Sequence, residues 1–183
     1  IWPAFRNAAS TGVVWMGVGA GAIVIIGLHH WTHRLQRGGV GGSHGLLALS
    51  LMLHNFPEGL ASGAALAGLE PTAAWPILGG IALQNAPEGA LMVVCLRGMG
   101  WSPHRALVGG IASGLIELFG GGVAGLVLGA TQEALPFLLA LAGGAMLTAV
   151  AMELRDRGHA SGQSVKAAFV TGLTVMPLLQ TLT

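Results

Sequence analysis

The sequence predicts an all-α membrane protein: a polytopic helix bundle of six transmembrane helices, built as a single domain over residues 1–183. Three observations predict it. Of 183 residues, 53% are apolar and only 8% are charged, about a third of the roughly 25% charged content of soluble domains. The mean hydropathy of +0.72 leaves too little polar side chain to cover a water-facing surface. Apolar stretches near the ~20 residues that cross a hydrocarbon layer about 30 Å thick recur along the chain, and the basic residues fall in alternate breaks between them.

The first helix is expected at about 11–31, before the glycine-rich run Arg37-Gly38-Gly39 and Gly41-Gly42-Ser43. A second, at about 44–69, stops at Glu70-Pro71-Thr72, because proline has no N–H to continue a helix. The third and fourth, at about 75–96 and 104–129, are separated by the stretch from Gly98 to Pro103. The fifth spans about 133–154, and the sixth about 163–182 after the break from Gly158 to Gly162. Such short connections imply an up-and-down bundle. Glycine, at 31 residues, sits inside apolar stretches, where Gly17-x-x-x-Gly21 and Gly121-x-x-x-Gly125 suggest close helix contact. Trp2, Trp15, Trp31, Trp75 and Trp101 lie mostly near expected helix ends, where an indole buries its ring and keeps its N–H wet.

Charge orients the bundle. Arg34, Arg37, Arg97, Arg105, Arg155, Arg157 and Lys166, seven of the eight Lys and Arg, fall on one side of the six-helix scheme; Arg6 is the exception. By the positive-inside rule that side is cytoplasmic and both ends of the chain face outward. The opposite breaks hold Glu70 and Glu133 and no basic residue. A net charge of +1 gives no case for nucleic acid as a partner, and the single Cys95 excludes an internal disulfide or a thiolate cluster. Residues 1–30 lack the basic start and small-residue cleavage site of a signal peptide. No HExxH pair, phosphate loop or dinucleotide fingerprint is present, so an enzyme is not expected.

The chemistry lies where lipid should be. His54-Asn55-Phe56-Pro57-Glu58-Gly59 sits mid-way along the second helix, and Gln84-Asn85-Ala86-Pro87-Glu88-Gly89 follows thirty positions later, mid-way along the third. His54 and Glu58 are four apart and share one helical face; Asn55 with Glu58, and Asn85 with Glu88, are three apart. Pro57 and Pro87 each remove the bond to the carbonyl four residues earlier, at Leu53 and Leu83. Gly59 and Gly89 offer a bare surface to another helix. Glu117 adds a third carboxylate in the fourth helix. Each acidic side chain at the bilayer centre costs about 2.5–3.5 kcal/mol on the mild insertion scale, and no Lys or Arg is near enough in sequence to offset it. Protons, water or a bound cation must compensate. Carboxylates, one imidazole and amide oxygens suit Zn²⁺, Fe²⁺ or Mn²⁺; a purely structural polar network and another ion path are the other readings.

These motifs, with ASGLIELFGG at 112–121 and GGAMLTAVAMEL at 143–154, resemble the ZIP family of metal-ion transporters, especially its bacterial and GufA-like members. The resemblance implies eight membrane helices with a metal site between the fourth and fifth, of which this chain matches the last six and lacks the first two. It implies His54, Asn55, Glu58, Gln84, Asn85, Glu88 and Glu117 as a binuclear transport site, Gln84 standing where the family often has histidine. The cargo is then a divalent ion, Zn²⁺ first with Fe²⁺ or Mn²⁺ as alternatives, moved toward the cytoplasm across a bacterial inner membrane.

ZIP proteins often carry a histidine-containing cytoplasmic loop where His29, His30, His33 and His44 flank the first break. That cluster reads either as a metal exit or sensing site or as solvated interfacial histidines. Glu153 matches an acidic position near the inner end of the seventh family helix. Implied partners are membrane lipid, the metal, and either a second copy or a larger membrane complex; the competing reading is a diverged ZIP-like structural subunit without transport. The charge bias makes the first break testable: in a Cys95→Ala background, Ser43→Cys should resist an impermeant thiol reagent in intact cells and react after permeabilisation. Labelling in intact cells would invert the topology.

Overall fold

The computed structural model describes residues 11–37 and 42–157. Helix α1 runs Thr11–Arg37, α2 Gly42–Gly68, α3 Pro71–Gly98 and α4 Pro103–Ala130; a 3₁₀ turn at Gln132–Ala134 then leads into α5, Leu135–Arg157. Among the described residues there is no strand. The sixth expected helix, with His159 and Lys166, lies outside the described residues, as do Trp2 and Arg6.

Local chemistry sets the ends. α1 runs past its expected end at 31 because neither glycine nor proline occurs between Leu28 and Arg37, so His33 is helical as well as His29 and His30. His44 likewise falls in the first turn of α2. Pro71 sits at the start of α3, where its missing N–H goes unneeded, and the Glu70 carbonyl accepts from Ala73 and Ala74 at 2.9 and 3.0 Å. At the far end of α3 the Trp101 N–H bonds the Leu96 carbonyl at 3.1 Å and the Gly100 N–H bonds that of Arg97 at 3.0 Å. This closure needs a left-handed residue, which Gly100 supplies at φ +87°. Ser102 then caps α4 ahead of Pro103.

The helices alternate in direction. Residues 17 to 21 of α1 pack against 137 to 145 of α5 in ascending order, and 59 to 63 of α2 against 117 to 121 of α4 in the same way. Between α2 and α3 the order reverses, with Glu58 beside Gln84 and His44 beside Gly98. α1, α3, α4 and α5 each hold a stretch long and apolar enough to cross a membrane: Thr11–Thr32, Pro71–Gly98, Pro103–Ala130 and Gln132–Met152. α2, which carries the His54–Gly59 motif, does not. It is also the helix that packs against all four others, so little of it needs to suit lipid.

Two helix pairs are in backbone contact. A Cβ on Gly17 would stand 2.7 Å from the Phe137 carbonyl oxygen and 2.8 Å from the Ala140 Cβ, and Gly144 lies equally tight on Val18, which joins α1 to α5. Gly59 lies directly on the Glu117 carbonyl and Gly63 on Gly121, which joins α2 to α4. Not every expected glycine contact forms. Gly89 and Gly125 face open space among the described residues, and the α4 partners of α2 are Gly120 and Gly121.

Apolar side chains gather in two clusters. One, including Leu60, Ala64, Ile81, Leu128 and Leu139, fills the end of the bundle where α2 finishes. The other, Ala48, Met92, Cys95, Leu96 and Ala106, fills the end where α2 begins. The polar residues of α2, α3 and α4 occupy the layer between them. α2 and α3 run unbroken through Pro57 and Pro87, so each proline removes one hydrogen bond without opening its helix.

The α2–α4 contact yields a prediction. Gly59→Ala should destabilise the protein by about 1–3 kcal/mol, the usual cost of overpacking, because the methyl group meets α4 backbone that cannot yield. Gly114→Ala, which meets nothing within 4 Å, should leave stability unchanged. Unfolding of both variants in mild detergent tests the difference.

Candidate metal site

The polar layer is built from one turn each of α2, α3 and α4. Glu58 is fully buried, because Gly59 draws α2 onto the α4 backbone beside Glu117. Its Oε1 accepts a hydrogen bond from Gln84 Nε2. Asn85, the next residue of α3, donates through Nδ2 to Glu117 Oε2 at 2.8 Å. Asn55 donates through Nδ2 to the Ser113 carbonyl at 3.0 Å, and Ser113 Oγ donates to the Gly110 carbonyl at 2.6 Å. Two carboxylate oxygens are left over. Glu58 Oε2 and Glu88 Oε2 are buried with no hydrogen-bond partner among the described residues.

A buried carboxylate oxygen without a donor costs the full desolvation of that atom. Here two such atoms occur in one layer, together with a cavity of about 90 Å³ whose walls include Asn55, Asn85, Glu88, Met92, Ser113 and Glu117. All three amides use their nitrogen in the bonds above, so their oxygens remain the ends not committed. An amide carries a donor and an acceptor on one rotatable plane, and a half-turn of each would exchange the N–H for a carbonyl oxygen.

The structure brings together most of the residues expected from sequence. Asn55, Glu58, Gln84, Asn85, Glu88 and Glu117 share the layer, and His54 is half-buried on α2 one turn before Glu58. Among the described residues no three His, Cys, Asp or Glu side chains close on a single point. Gln84 and Asn85 each donate an amide N–H to a carboxylate instead, to Glu58 and to Glu117. The terminal histidines stand apart from this layer. His29 and His30 meet edge-on with ring centroids 6.2 Å apart, and His30 Nδ1 lies 2.8 Å from the Ile26 carbonyl of its own helix. His44 is exposed, with its ring against Gly98. His33 and Glu153 are helical positions in α1 and α5, and the expectations for their side chains lie outside the described residues. Ser113 and Met92 were not legible as site residues. Their signal was spacing: Ser113 precedes Glu117 by one turn on α4, and Met92 follows Glu88 by one turn on α3.

A family model described as "ZIP Zinc transporter" matches residues 30–180. The chain belongs to the ZIP family. It is 38% identical over 128 residues to the "Zinc transporter GufA" of Myxococcus xanthus, covering 70% of this chain and 50% of that protein. It is 32% identical over 169 residues to the "Zinc transporter ZIPB" of Bordetella bronchiseptica, covering 87% and 55%. To the human "Zinc transporter ZIP11" it is 35% identical over 145 residues, covering 72% and 41%. The chain thus spans about half the length of the curated relatives it matches. As a ZIP-family chain it is an integral membrane helix bundle, and its apolar exterior suits lipid: Ile23, Leu83, Ile111, Leu118 and Leu126 are all exposed.

The Gln84–Glu58 bond carries a prediction for the metal-free protein. Gln84→Leu removes the donor and leaves a second oxygen of a fully buried carboxylate unpaired, which should cost about 1–3 kcal/mol. Gln84→His, which restores an N–H, should recover most of that loss. Detergent unfolding midpoints of the three proteins measure it.

Proposed function

We propose that this ZIP-family chain carries a divalent metal ion across the membrane toward the cytoplasm, Zn²⁺ first with Fe²⁺ or Mn²⁺ as alternatives. The observation that supports the reading most directly is the pair of buried oxygens on Glu58 and Glu88, in a mid-bundle polar layer, with no hydrogen-bond partner among the described residues. They need a partner, and a dehydrated cation is one that buried carboxylate oxygens suit. The proposed ligands are His54, Asn55, Glu58, Gln84, Asn85, Glu88 and Glu117. Three carboxylates set charge −3 against +4 for two ions, an imbalance that bridging carboxylates reduce. The relatives named as zinc transporters make Zn²⁺ the leading cargo.

In this reading the ion sheds its water as it enters the layer. The amides of Gln84 and Asn85 turn their nitrogens away from Glu58 and Glu117 and offer oxygen. Helices α2, α3 and α4 hold all seven proposed ligands, while the α1–α5 pair holds none of them, so a displacement of the three-helix group past that pair carries the ion with it. Release follows on the side of His29, His30, His33, His44 and Glu153, in a bacterial cytoplasmic membrane. Protons compete throughout, because carboxylates and imidazole bind metal only when deprotonated.

A second reading is favoured by one observation: the amide bonds to Glu58 and Glu117 link α2, α3 and α4 in a polar network made of side chains. On that reading the chain is a ZIP-like structural subunit of a larger complex. Glu117→Gln separates the two. It keeps volume and hydrogen bonding while removing one charge. Transport predicts normal detergent size-exclusion profiles with Zn²⁺ stoichiometry and vesicle flux lowered by about tenfold or more. A structural role predicts no change in either. Glu58→Ala should abolish flux and metal occupancy in the same assays, whereas Leu60→Ala, a packing change, should affect stability alone.

A further inference from the structure

The ligands proposed above are oxygens and one imidazole, yet the cavity wall holds a donor of another kind. Met92 lines the same cavity as Asn55, Asn85, Glu88 and Glu117. It is 2% exposed, and it follows Glu88 by one turn on the same face of α3. The nearby cavity wall from α3 and α4 includes Gly89, Gly110 and Gly114, which present no side chain of their own. From the geometry we infer that the Met92 thioether is a soft ligand of the site, biasing it toward thiophilic divalent ions such as Cd²⁺ and Zn²⁺ over Mn²⁺. The inference rests on the reading of this cavity as the metal site.

The chemistry favours a thioether at this position. The layer already holds three carboxylates, and a further anionic donor would raise its charge in an apolar bundle. Thioether sulfur adds a lone pair with no charge and no proton to lose. Softness then separates cations of equal charge: Cd²⁺ gains from sulfur, Zn²⁺ gains less, and Mn²⁺, which prefers oxygen, gains almost nothing. A gap-filling methionine would contribute volume alone, and leucine of nearly the same volume would replace it without effect on selectivity. Cys95 is the other sulfur on this face of α3. It is buried in the apolar cluster beneath Met92 and does not line the cavity.

The test loads the full chain with Cd²⁺ in detergent and records Cd K-edge X-ray absorption, in a Cys95→Ala background. A Cd–S scattering path is expected, and Met92→Leu should remove it. In equilibrium competition, Met92→Leu should weaken Cd²⁺ relative to Mn²⁺ by about fivefold to tenfold, and Met92→Gln, with an oxygen in place of sulfur, should shift the preference further toward Mn²⁺. Matched size-exclusion profiles establish that each variant is folded. A shell of oxygen and nitrogen alone around Cd²⁺ would overturn the inference, as would an equal loss of both metals in Met92→Leu. Flux is read separately in sealed vesicles. A sulfur shell without flux of any metal sinks the transport reading and leaves this one standing; flux with an all-oxygen and nitrogen shell does the reverse.

Discussion

Three carboxylates inside an apolar bundle set the terms for everything around them. On the mild insertion scale each costs about 2.5–3.5 kcal/mol at the bilayer centre, a cost comparable in sum with the whole stability of many proteins. The fold meets it by concentration. Glu58, Glu88 and Glu117 share one layer, amides donate to Glu58 and Glu117, and apolar clusters close the layer at both ends. The helix carrying the most buried of the three packs against the other four described helices, so its polar motif meets protein on several sides.

Close packing is what makes that layer possible. Side chains reach only a few ångströms from a helix axis, and Glu58 stands beside Glu117 because Gly59 lets α2 rest on the α4 backbone. The same device joins α1 to α5 through Gly17, Gly21 and Gly144. In lipid there is little hydrophobic gain in bringing helices together, and dispersion contacts over such smooth surfaces take its place. The result is a division of labour within one bundle: the α2–α4 pair, with α3 against it, carries the polar residues, and the α1–α5 pair carries packing.

The prolines show how little a local motif fixes beyond its own hydrogen bonds. Pro57 and Pro87 do remove one intrahelical bond each, as their chemistry requires, yet neither helix opens. Gly59 and Gly89 occupy equivalent places in the paired motifs, and only Gly59 is pressed against a neighbour. Similar local sequence therefore serves two situations. α2 is central and α3 peripheral, a difference that no window of either motif contains.

Much of this protein was determined by sequence alone. Apolar length and the placement of glycine and proline gave five helices to within a few residues at most ends, because the cost of exposing backbone polar groups in lipid allows few other solutions. The paired His54–Gly59 and Gln84–Gly89 motifs, with Glu117, marked the polar layer, because a charge in an apolar stretch needs a partner. What the sequence left open was partnership. Which amide meets which carboxylate, which glycines touch, which carboxylate oxygens stay unpaired, and that Ser113 and Met92 line the cavity all depend on how far each helix is rotated and slid against the next. Those offsets are fixed by the fit of whole helix surfaces, a sum over many weak contacts between residues distant in sequence, and only the tertiary structure decides them.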